Sequence, residues 1–172
     1  MVLRGRIWKV GDNMKAGGDI MPTEYDHLGS SLKFAELATH VFENVLPEFA
    51  ANVRTGDLVV AGHNFGAGHA HFLMSAIKAL AATGVAACIA ESYSGAFQRR
   101  AINAGFPAIE ATDIRATTET GDELEVDLLT GDGKNMTRGC VIRVRPVPRM
   151  IVDILESGGL EPYAVRKLRS PI

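Results

Sequence analysis

The sequence predicts an α/β domain with a partly parallel sheet and an appended antiparallel β part. Between residues 57 and 104, short apolar strands alternate with helical patterns, and this order is typical of parallel strands in one layer. Between residues 123 and 144, apolar and acidic residues alternate, a turn follows and the chain returns, which is typical of antiparallel strands. The chain has 172 residues, of which 47% are apolar, so we expect a single domain with one core over residues 1–172.

The N-terminal third is predicted to contain one strand, a long loop and a helix. Residues 3–10 alternate well enough for a strand, and a glycine-rich loop follows over residues 11–29. Apolar residues recur at helical spacing over residues 32–45, which predicts a helix that Pro47 ends. Residues 47–53 have room for one more short turn of helix.

The rest of the chain supplies the alternating elements. Strands are predicted at residues 57–62 and 85–90, because both are short apolar runs. Helices are predicted from the end of the loop at residues 63–68 to about Ala82, and again over residues 93–104. The antiparallel part consists of a strand at residues 123–129, a turn at residues 130–133 and a returning strand at residues 141–144. A final helix over residues 149–156 is expected to end at Gly158 and Gly159.

Charge and hydropathy argue against several classes of protein. The formal net charge is −2, which differs from the basic character of nucleic-acid binders. The N-terminus is too charged for a signal peptide, and no apolar run approaches the roughly 20 residues that a membrane span needs. We therefore expect a cytoplasmic protein that binds neither nucleic acid nor membrane.

The two cysteines, Cys88 and Cys140, lie far apart in apolar stretches. A free cysteine in such a stretch usually behaves as a small hydrophobic residue, and we expect both to be buried. Two thiolates are too few for an iron–sulfur cluster held by four. If the protein works with such a cluster, another chain has to supply it.

The most informative stretch is the run from a strand through a glycine-rich loop into a helix at residues 59–74. Gly66 and Gly68 allow a ligand to approach the backbone, and the helix start offers unpaired N–H groups that suit a carboxylate or phosphate. The stretch lacks the lysine of a P-loop, and His71 stands where a dinucleotide fingerprint has its third glycine. Glu91, at the end of the next strand, stands where an acid that binds ribose would lie, so a dinucleotide-binding oxidoreductase remains an alternative.

Several segments resemble, in order and spacing, one known family. They include Ala61, Gly62, Asn64, Phe65, Gly66 and Gly68 in the loop, Gly11 to Asn13 and Ile20 to Pro22 before it, and Ser92, Tyr93, residues 97–107 and residues 158–160 after it. This pattern resembles the small subunit of isopropylmalate isomerase and the matching domain of aconitase. The resemblance covers nearly the whole chain.

The resemblance implies a swivelling β/β/α domain that works as the small subunit of a two-subunit hydro-lyase. In that family a large subunit carries a 4Fe–4S cluster, one iron of which acts as a Lewis acid. The small subunit covers the cluster and contacts a hydroxy-di- or tricarboxylate, from which water is eliminated and to which it is added again. The implied protein resembles the 3-isopropylmalate dehydratase small subunit of leucine biosynthesis, a lyase active only as a heterodimer with its large subunit.

The sequence departs from the family at the residues that carry the chemistry. His69 and Ala70 stand in place of two serines, the second of which takes the proton, and His71 stands in place of an arginine that holds a carboxylate. Gly95 replaces another arginine, whereas Arg99 keeps the next one. Histidine is a competent acid–base residue near neutral pH, so His69 and His71 are the candidate catalytic residues.

The remaining candidate residues are expected to contact the substrate. They are Asp19, Tyr25, Asn64, Gly66, Gly68, Ala70 and Arg99. We assign no metal to this chain, because His69 and His71 are two positions apart at a helix start and do not converge on one ion. The loss of serine and arginine leaves open a second interpretation, in which the chain is a non-catalytic or regulatory paralogue.

Overall fold

The computed structural model describes residues 1–169, which form one seven-stranded sheet with helices on both faces. The strands are β1 (Val2–Lys9), β2 (Leu58–Ala61), β3 (Ala87–Ala90), β4 (Ala108–Glu110), β5 (Glu123–Asp127), β6 (Asp132–Asn135) and β7 (Val141–Arg143). Their order in the sheet is β4-β3-β2-β1-β5-β6-β7. The first four strands are parallel to one another and the remaining pairs are antiparallel, as the sequence predicted.

Seven α-helices accompany the sheet over the described residues. They are α1 (Asp26–Ser30), α2 (Phe34–Ala38), α3 (Phe49–Asn52), α4 (Ala70–Ala82), α5 (Gly95–Asn103), α6 (Arg149–Glu156) and α7 (Leu160–Arg169). Two short 3-10 helices lie at Thr23–Tyr25 and Ile114–Thr117. No helix within residues 1–169 is both long and apolar enough to span a membrane.

Alternation along the central strands divides the core into two layers. Val59 and Ala61 of β2 pack in the layer that contains α4 and α5, whereas Leu58 and Val60 pack in the layer that contains α6. Successive side chains of a strand point to opposite faces, and all four are fully buried, so both faces of β2 are covered. This explains why the strand is a continuous apolar run rather than an alternating one.

The prediction of one helix over residues 32–45 is wrong. Only α2 is helical there, and turns follow it. The backbone N–H of Phe42 donates to the carbonyl of Ile20 at 3.0 Å, and Phe42 has a φ of 60°, which ends the helical path. This turn places the Phe42 ring in the core, 5.0 Å from the ring of Phe49, and leaves Leu32 and Val45 exposed. Tertiary packing therefore overrides the helical periodicity.

The antiparallel part contains one more strand than predicted. Residues 130–133 were predicted as a turn, but β6 begins at Asp132, and the returning strand β7 pairs with β6 rather than with β5. The polar sequence of β6 has no apolar alternation that would reveal it. Two further elements are not predicted from the sequence. They are β4, which is only three residues long, and α7, which begins after the glycines at 158 and 159.

The other predicted elements are present with shifted ends. The loop predicted over residues 11–29 contains a 3-10 helix and α1 in its second half. Cys88 is fully buried in β3 as expected, whereas the expected burial of Cys140 is only partly correct, since this residue is half-buried. Cys140 lies just before β7, close to the opposite end of the strand order from β3.

Candidate active site

Two loops meet at the carboxyl ends of the parallel strands, where α/β proteins usually bind ligands. The first loop (residues 11–22) follows β1, and the glycine loop (residues 62–68) follows β2. The carbonyl of Met14 accepts the N–H groups of Gly66 at 2.9 Å and Ala67 at 3.0 Å, and Ala16 N–H donates to the carbonyl of Ala67 at 2.9 Å. These backbone hydrogen bonds hold the two loops together as one unit.

The segment after β3 holds the glycine loop from the other side. The hydroxyl of Ser92 accepts the N–H of Asn64 at 2.9 Å, and the hydroxyl of Ser94 donates to the carbonyl of Gly66 at 2.7 Å. Ser94 is also the N-cap of α5 and accepts the N–H of Phe97. One serine therefore begins a helix and fixes the loop, which pre-orders the site before any ligand arrives.

Gly66 and Gly68 both have positive φ values, 77° and 95°, but they serve different purposes. Gly66 is buried, and a Cβ built there would clash with the ring of Phe97. Gly68 is exposed, and a Cβ there would meet only Lys15, at 3.8 Å. Gly66 is thus required for packing beneath the loop, whereas Gly68 shapes the surface that leads into α4.

The start of α4 forms the exposed part of this site. His69 is the N-cap, with a φ of −72° and a ψ of 134°, and its side chain makes no capping hydrogen bond. The residues from Gly68 to His71 are all exposed. The first N–H groups of an α-helix have no partner within it, so this surface offers donors and partial positive charge to an anion.

His71 is paired with an acidic residue of α1. Its Nε2 lies 3.0 Å from Oδ2 of Asp26 at the start of α1, and its ring meets the ring of Phe72 edge to face at 5.0 Å. His69 has no comparable carboxylate partner among the hydrogen bonds and ion pairs found in residues 1–169. The two candidate proton carriers therefore differ in how firmly they are held.

A second polar group lies at the same edge of the sheet. His63 Nδ1 is 2.9 Å from Glu91 Oε2 and 3.6 Å from Asp12 Oδ1, and Arg115 Nη1 donates to the same Asp12 oxygen at 2.9 Å. The pKa of Asp12 lies below its usual value, chiefly because the backbone N–H of His63 donates to it and, despite partial desolvation, because Arg115 is adjacent. Asp12, His63 and Glu91 are the group within residues 1–169 whose spacing would suit a metal ion. However, the Arg115 guanidinium already pairs with Asp12, and His63 already contacts both carboxylates.

This network weakens the dinucleotide alternative. Glu91 is only 12% exposed, its Oε2 is engaged by His63, and its Oε1 accepts the N–H of Arg115 at 3.4 Å. A ribose would have to displace these contacts to reach the carboxylate. The residue on which that alternative depended is therefore already used within the fold.

Two other candidates from the first half of the chain have internal contacts. Asp19 accepts the N–H of Lys15 at 2.8 Å and so closes a turn of the first loop. The ring of Tyr25 stacks on His40, with centroids 3.6 Å apart, and His40 in turn contacts Glu43 at 2.6 Å. Tyr25 precedes Asp26, which contacts His71 of α4, so Tyr25 lies near the start of that helix. Asp19, in contrast, shapes the first loop through its contact with Lys15.

Of the two consecutive arginines on α5, Arg100 contacts the start of α4, and Arg99 stays a predicted substrate contact. Arg99 is exposed on α5, and its neighbour Arg100 donates from Nη1 to the carbonyl of Ala70 at 3.1 Å. Adjacent helical residues point about 100° apart, a consequence of 3.6 residues per turn. The sequence contained two consecutive arginines, and only the packing of α5 against α4 distinguishes them.

The fold and this site define a class of protein. The model of the aconitase C-terminal domain family matches residues 26–113, a segment that includes the glycine loop and the two serines, Ser92 and Ser94, that hold it. Together with the relatives below, this match shows that the chain belongs to that family. The resemblance inferred from the motifs is thereby confirmed, and with it the predicted fold class.

Within that family the relatives are small subunits of dehydratases and isomerases. The chain is 40% identical over 162 residues to 3-isopropylmalate dehydratase small subunit 1 of Thermotoga maritima, covering 94% of each chain. It is also 40% identical to the isopropylmalate/citramalate isomerase small subunit of Methanocaldococcus jannaschii, covering 97% of this chain and 96% of the relative. The crystal structure of 3-isopropylmalate dehydratase from the same organism matches with a TM-score of 0.85 at 30% identity, covering 98% of this chain and 96% of that one.

Proposed function

We propose that this chain is the small subunit of a two-subunit hydro-lyase that removes and readds water on a hydroxy-di- or tricarboxylate. The observation that carries this proposal is the exposed start of α4, where two histidines flank a helix N-terminus at the end of a firmly held glycine loop. The chain is a family member over nearly its whole length, so it has the scaffold on which this chemistry is built. A second chain, the large subunit, completes the site.

The proposed large subunit holds a 4Fe–4S cluster, whose exposed iron supplies Lewis-acid activation of the substrate hydroxyl when bound. The cysteines of this chain do not fit such a cluster, because Cys88 is fully buried within β3 and Cys140 lies near the opposite end of the strand order. The exposed surface from Gly68 to His71 is free of thiols and suits the role of a cover over a partner's cluster.

The residues of this chain bind the substrate and move its proton. The unpaired N–H groups at the start of α4 bind a carboxylate, and Ala70 takes part through its backbone, since its side chain has no polar atom. Asn64, Gly68 and Arg99 are exposed and are proposed to line the approach to that point. Gly66 is buried and supports the loop from beneath. His71 or His69 accepts the proton from the carbon beside the carboxylate and returns it in the reverse step.

The substrate proposed first is 3-isopropylmalate, as in leucine biosynthesis. The relatives named for this dehydratase include those of Thermotoga maritima, at 40% identity, and Aquifex aeolicus, at 43% identity. A relative from Methanothermobacter thermautotrophicus is named a methanogen homoaconitase small subunit at 40% identity. Because relatives with different named substrates are equally similar, a substrate panel has to include isopropylmalate, citramalate and homocitrate.

The test is a reconstitution of both chains. The small subunit is mixed anaerobically with its candidate large subunit and each acid, and the absorbance of the unsaturated product is followed. We expect turnover only when both chains are present, and a fall of about 100-fold or more in kcat when the histidine that carries the proton is changed to Ala. His27→Ala is the matched control, because His27 is exposed and its side chain contacts only the carbonyl of Glu24 among the hydrogen bonds found in residues 1–169.

A second candidate is a non-catalytic or regulatory subunit, and it is favoured by Ala70 and by the replacement of arginine at His71 and Gly95. It predicts that the two chains form a complex with an intact cluster and yet turn over none of the acids. It also predicts that His69→Ala and His71→Ala leave the behaviour of the complex unchanged. Turnover that depends on either histidine would exclude it.

A further inference from the structure

We propose that Asp26 is a positioning residue for His71, holding its imidazole so that Nδ1 is the atom that exchanges a proton with the substrate. This inference rests on the proposed function and names how its proton carrier is oriented. The two residues are 45 positions apart in sequence and lie on α1 and α4. Nε2 of His71 is 3.0 Å from Oδ2 of Asp26. An ionised carboxylate can only accept, so Nε2 carries the hydrogen and Nδ1 is left unprotonated in the neutral ring.

The packing of α1 on α4 fixes this contact. Gly29 lies one turn after Asp26 and Ser75 lies one turn after His71, and the two approach so closely that a Cβ on Gly29 would clash with the Ser75 side chain. Gly29 and its neighbour Leu28 are both buried. Because the helices are in contact one turn beyond the pair, Asp26 and His71 are brought side by side by the fold itself rather than by a chance meeting of surface side chains.

A second contact, with the ring of Phe72, restrains the His71 imidazole. Phe72 packs against Gly17 of the first loop, where a Cβ would clash with the phenyl ring, and this ring meets the His71 imidazole at 5.0 Å with an interplanar angle of 79°. The Asp26 side chain is 30% exposed and the His71 side chain is 66% exposed. The carboxylate thus lies deeper than the imidazole, whose outer edge remains open to a substrate.

The pair also changes what position 71 can bind. In the resemblance drawn from the sequence, this position holds an arginine that binds a carboxylate. Here a carboxylate of the protein already occupies that side of the residue, so a substrate carboxylate placed on Nε2 would meet the negative charge of Asp26. This leaves the N–H groups at the start of α4 as the carboxylate site and His71 Nδ1 as the proton acceptor.

In the proposed elimination, one proton moves from a substrate carbon to the His71 imidazole, and the substrate loses water. The C–H bond beside the substrate carboxylate breaks, its proton goes to His71 Nδ1, and its electron pair forms the double bond as the hydroxyl leaves the neighbouring carbon. The hydroxyl is released as water after taking a proton from solvent, and the imidazolium returns its proton to solvent. Throughout, the Nε2–H group donates its hydrogen bond to Asp26, whose carboxylate stabilises the imidazolium that forms.

The experiment combines kinetics of the reconstituted enzyme with NMR of the isolated small subunit. For Asp26→Asn we expect kcat to fall about tenfold while KM changes less than about twofold, because orientation of a proton carrier matters in the transition state. In the His71→Ala background, Asp26→Ala should have no further effect on kcat, since its role is exerted through the imidazole. Glu24→Gln is the matched control: it removes one negative charge two residues away, and only the backbone carbonyl of Glu24 contacts a histidine.

The NMR measurement does not depend on turnover. The unmodified chain should show a His71 Nε2–H signal and a contact between the His71 and Phe72 rings, both lost in Asp26→Ala and kept in Glu24→Gln. The inference is overturned if Asp26→Asn keeps full kcat, or if Asp26→Ala lowers kcat equally in the presence and absence of the imidazole. Absence of turnover in every mixture of unmodified chains would instead remove the proposed function, and the catalytic role of the pair with it.

Discussion

Asn13 and Asn64 lie in different loops, and both have left-handed backbone conformations, with φ values of 55° and 56°. The side-chain Nδ2 of Asn64 donates to Oδ1 of Asn13 at 3.1 Å, so each residue helps to hold the other in a conformation that most residues avoid. The pair joins the first loop to the glycine loop next to the exposed start of α4. It is one reason why the site is formed before a partner binds.

Replacing Asn64 tests this relationship. We expect Asn64→Ala to lower the free energy of unfolding by about 2 kcal/mol, since the change loses a hydrogen bond and places alanine in the left-handed region. Asn64→Gly loses the same hydrogen bond but tolerates the backbone, so its cost should be smaller by about 1 kcal/mol. Urea unfolding followed by circular dichroism measures both values, and equal costs for the two variants would contradict the role of the backbone conformation.

The two glycines of the loop give a sharper comparison. Gly66→Ala should lower the free energy of unfolding by about 3 kcal/mol or prevent folding, because the added Cβ clashes with the buried ring of Phe97 at a positive φ. Gly68 also has a positive φ, but a Cβ there would meet only Lys15 at 3.8 Å, so we expect Gly68→Ala to cost about 1 kcal/mol. Thermal unfolding of the two variants provides the measurement. Similar stabilities would show that the Phe97 contact adjusts easily.

Much of the fold could be predicted from local patterns, and the same patterns indicate a candidate site. Continuous apolar runs identified β2 and β3, and the strand–glycine–helix order predicts a candidate site at the start of α4, where His69 and His71 are exposed. These features depend on residues that are neighbours in sequence, and local sequence patterns are therefore enough to predict them. Family motifs added the scaffold, and the comparisons confirm it.

The features that were missed depend on contacts between distant residues. The hydrogen bond from Phe42 to Ile20 breaks an apparently regular helical pattern, and nothing near Phe42 in sequence announces it. Arg100 rather than Arg99 contacts Ala70, a choice made by helix packing. The Asp26–His71 pair joins residues 45 positions apart, and it needs α1, which periodicity did not reveal. Tertiary geometry, not residue type, determines all three.

Asp57 is predicted to make stability depend on pH in the acid range. Burial by itself would raise the pKa of Asp57, but hydrogen bonds from Arg6, Trp8 and the N–H of Arg54 together lower it below the usual value. A folded pKa below the unfolded one means that the stabilisation is present above about pH 4 and is lost as the pH falls through the folded value. We expect Asp57→Asn to cost about 2 kcal/mol near pH 7.

The pH dependence of that cost is the decisive measurement. Urea unfolding at several pH values should show the difference between the unmodified chain and Asp57→Asn narrowing below about pH 4. Glu125→Gln is the control, because Glu125 is 45% exposed and its contact with Arg4 is 3.6 Å long, so we expect a change within about 0.5 kcal/mol. A cost for Asp57→Asn that is the same at pH 3 and pH 7 would exclude the ionised carboxylate as its cause.

The two thiols should differ in reactivity. Burial within β3 raises the pKa of Cys88 to about 12, so at pH 8 this residue has almost no thiolate to react. Cys140 is half-buried, with Sγ 3.6 Å from the carbonyl of Thr117, and it is the thiol that a reagent can reach. We expect iodoacetamide to add one group to the native chain, two groups in urea, and none to native Cys140→Ser, as measured by mass spectrometry. Labelling of Cys88 in the native chain would mean that β3 opens locally, because both faces of that strand are covered in the closed fold.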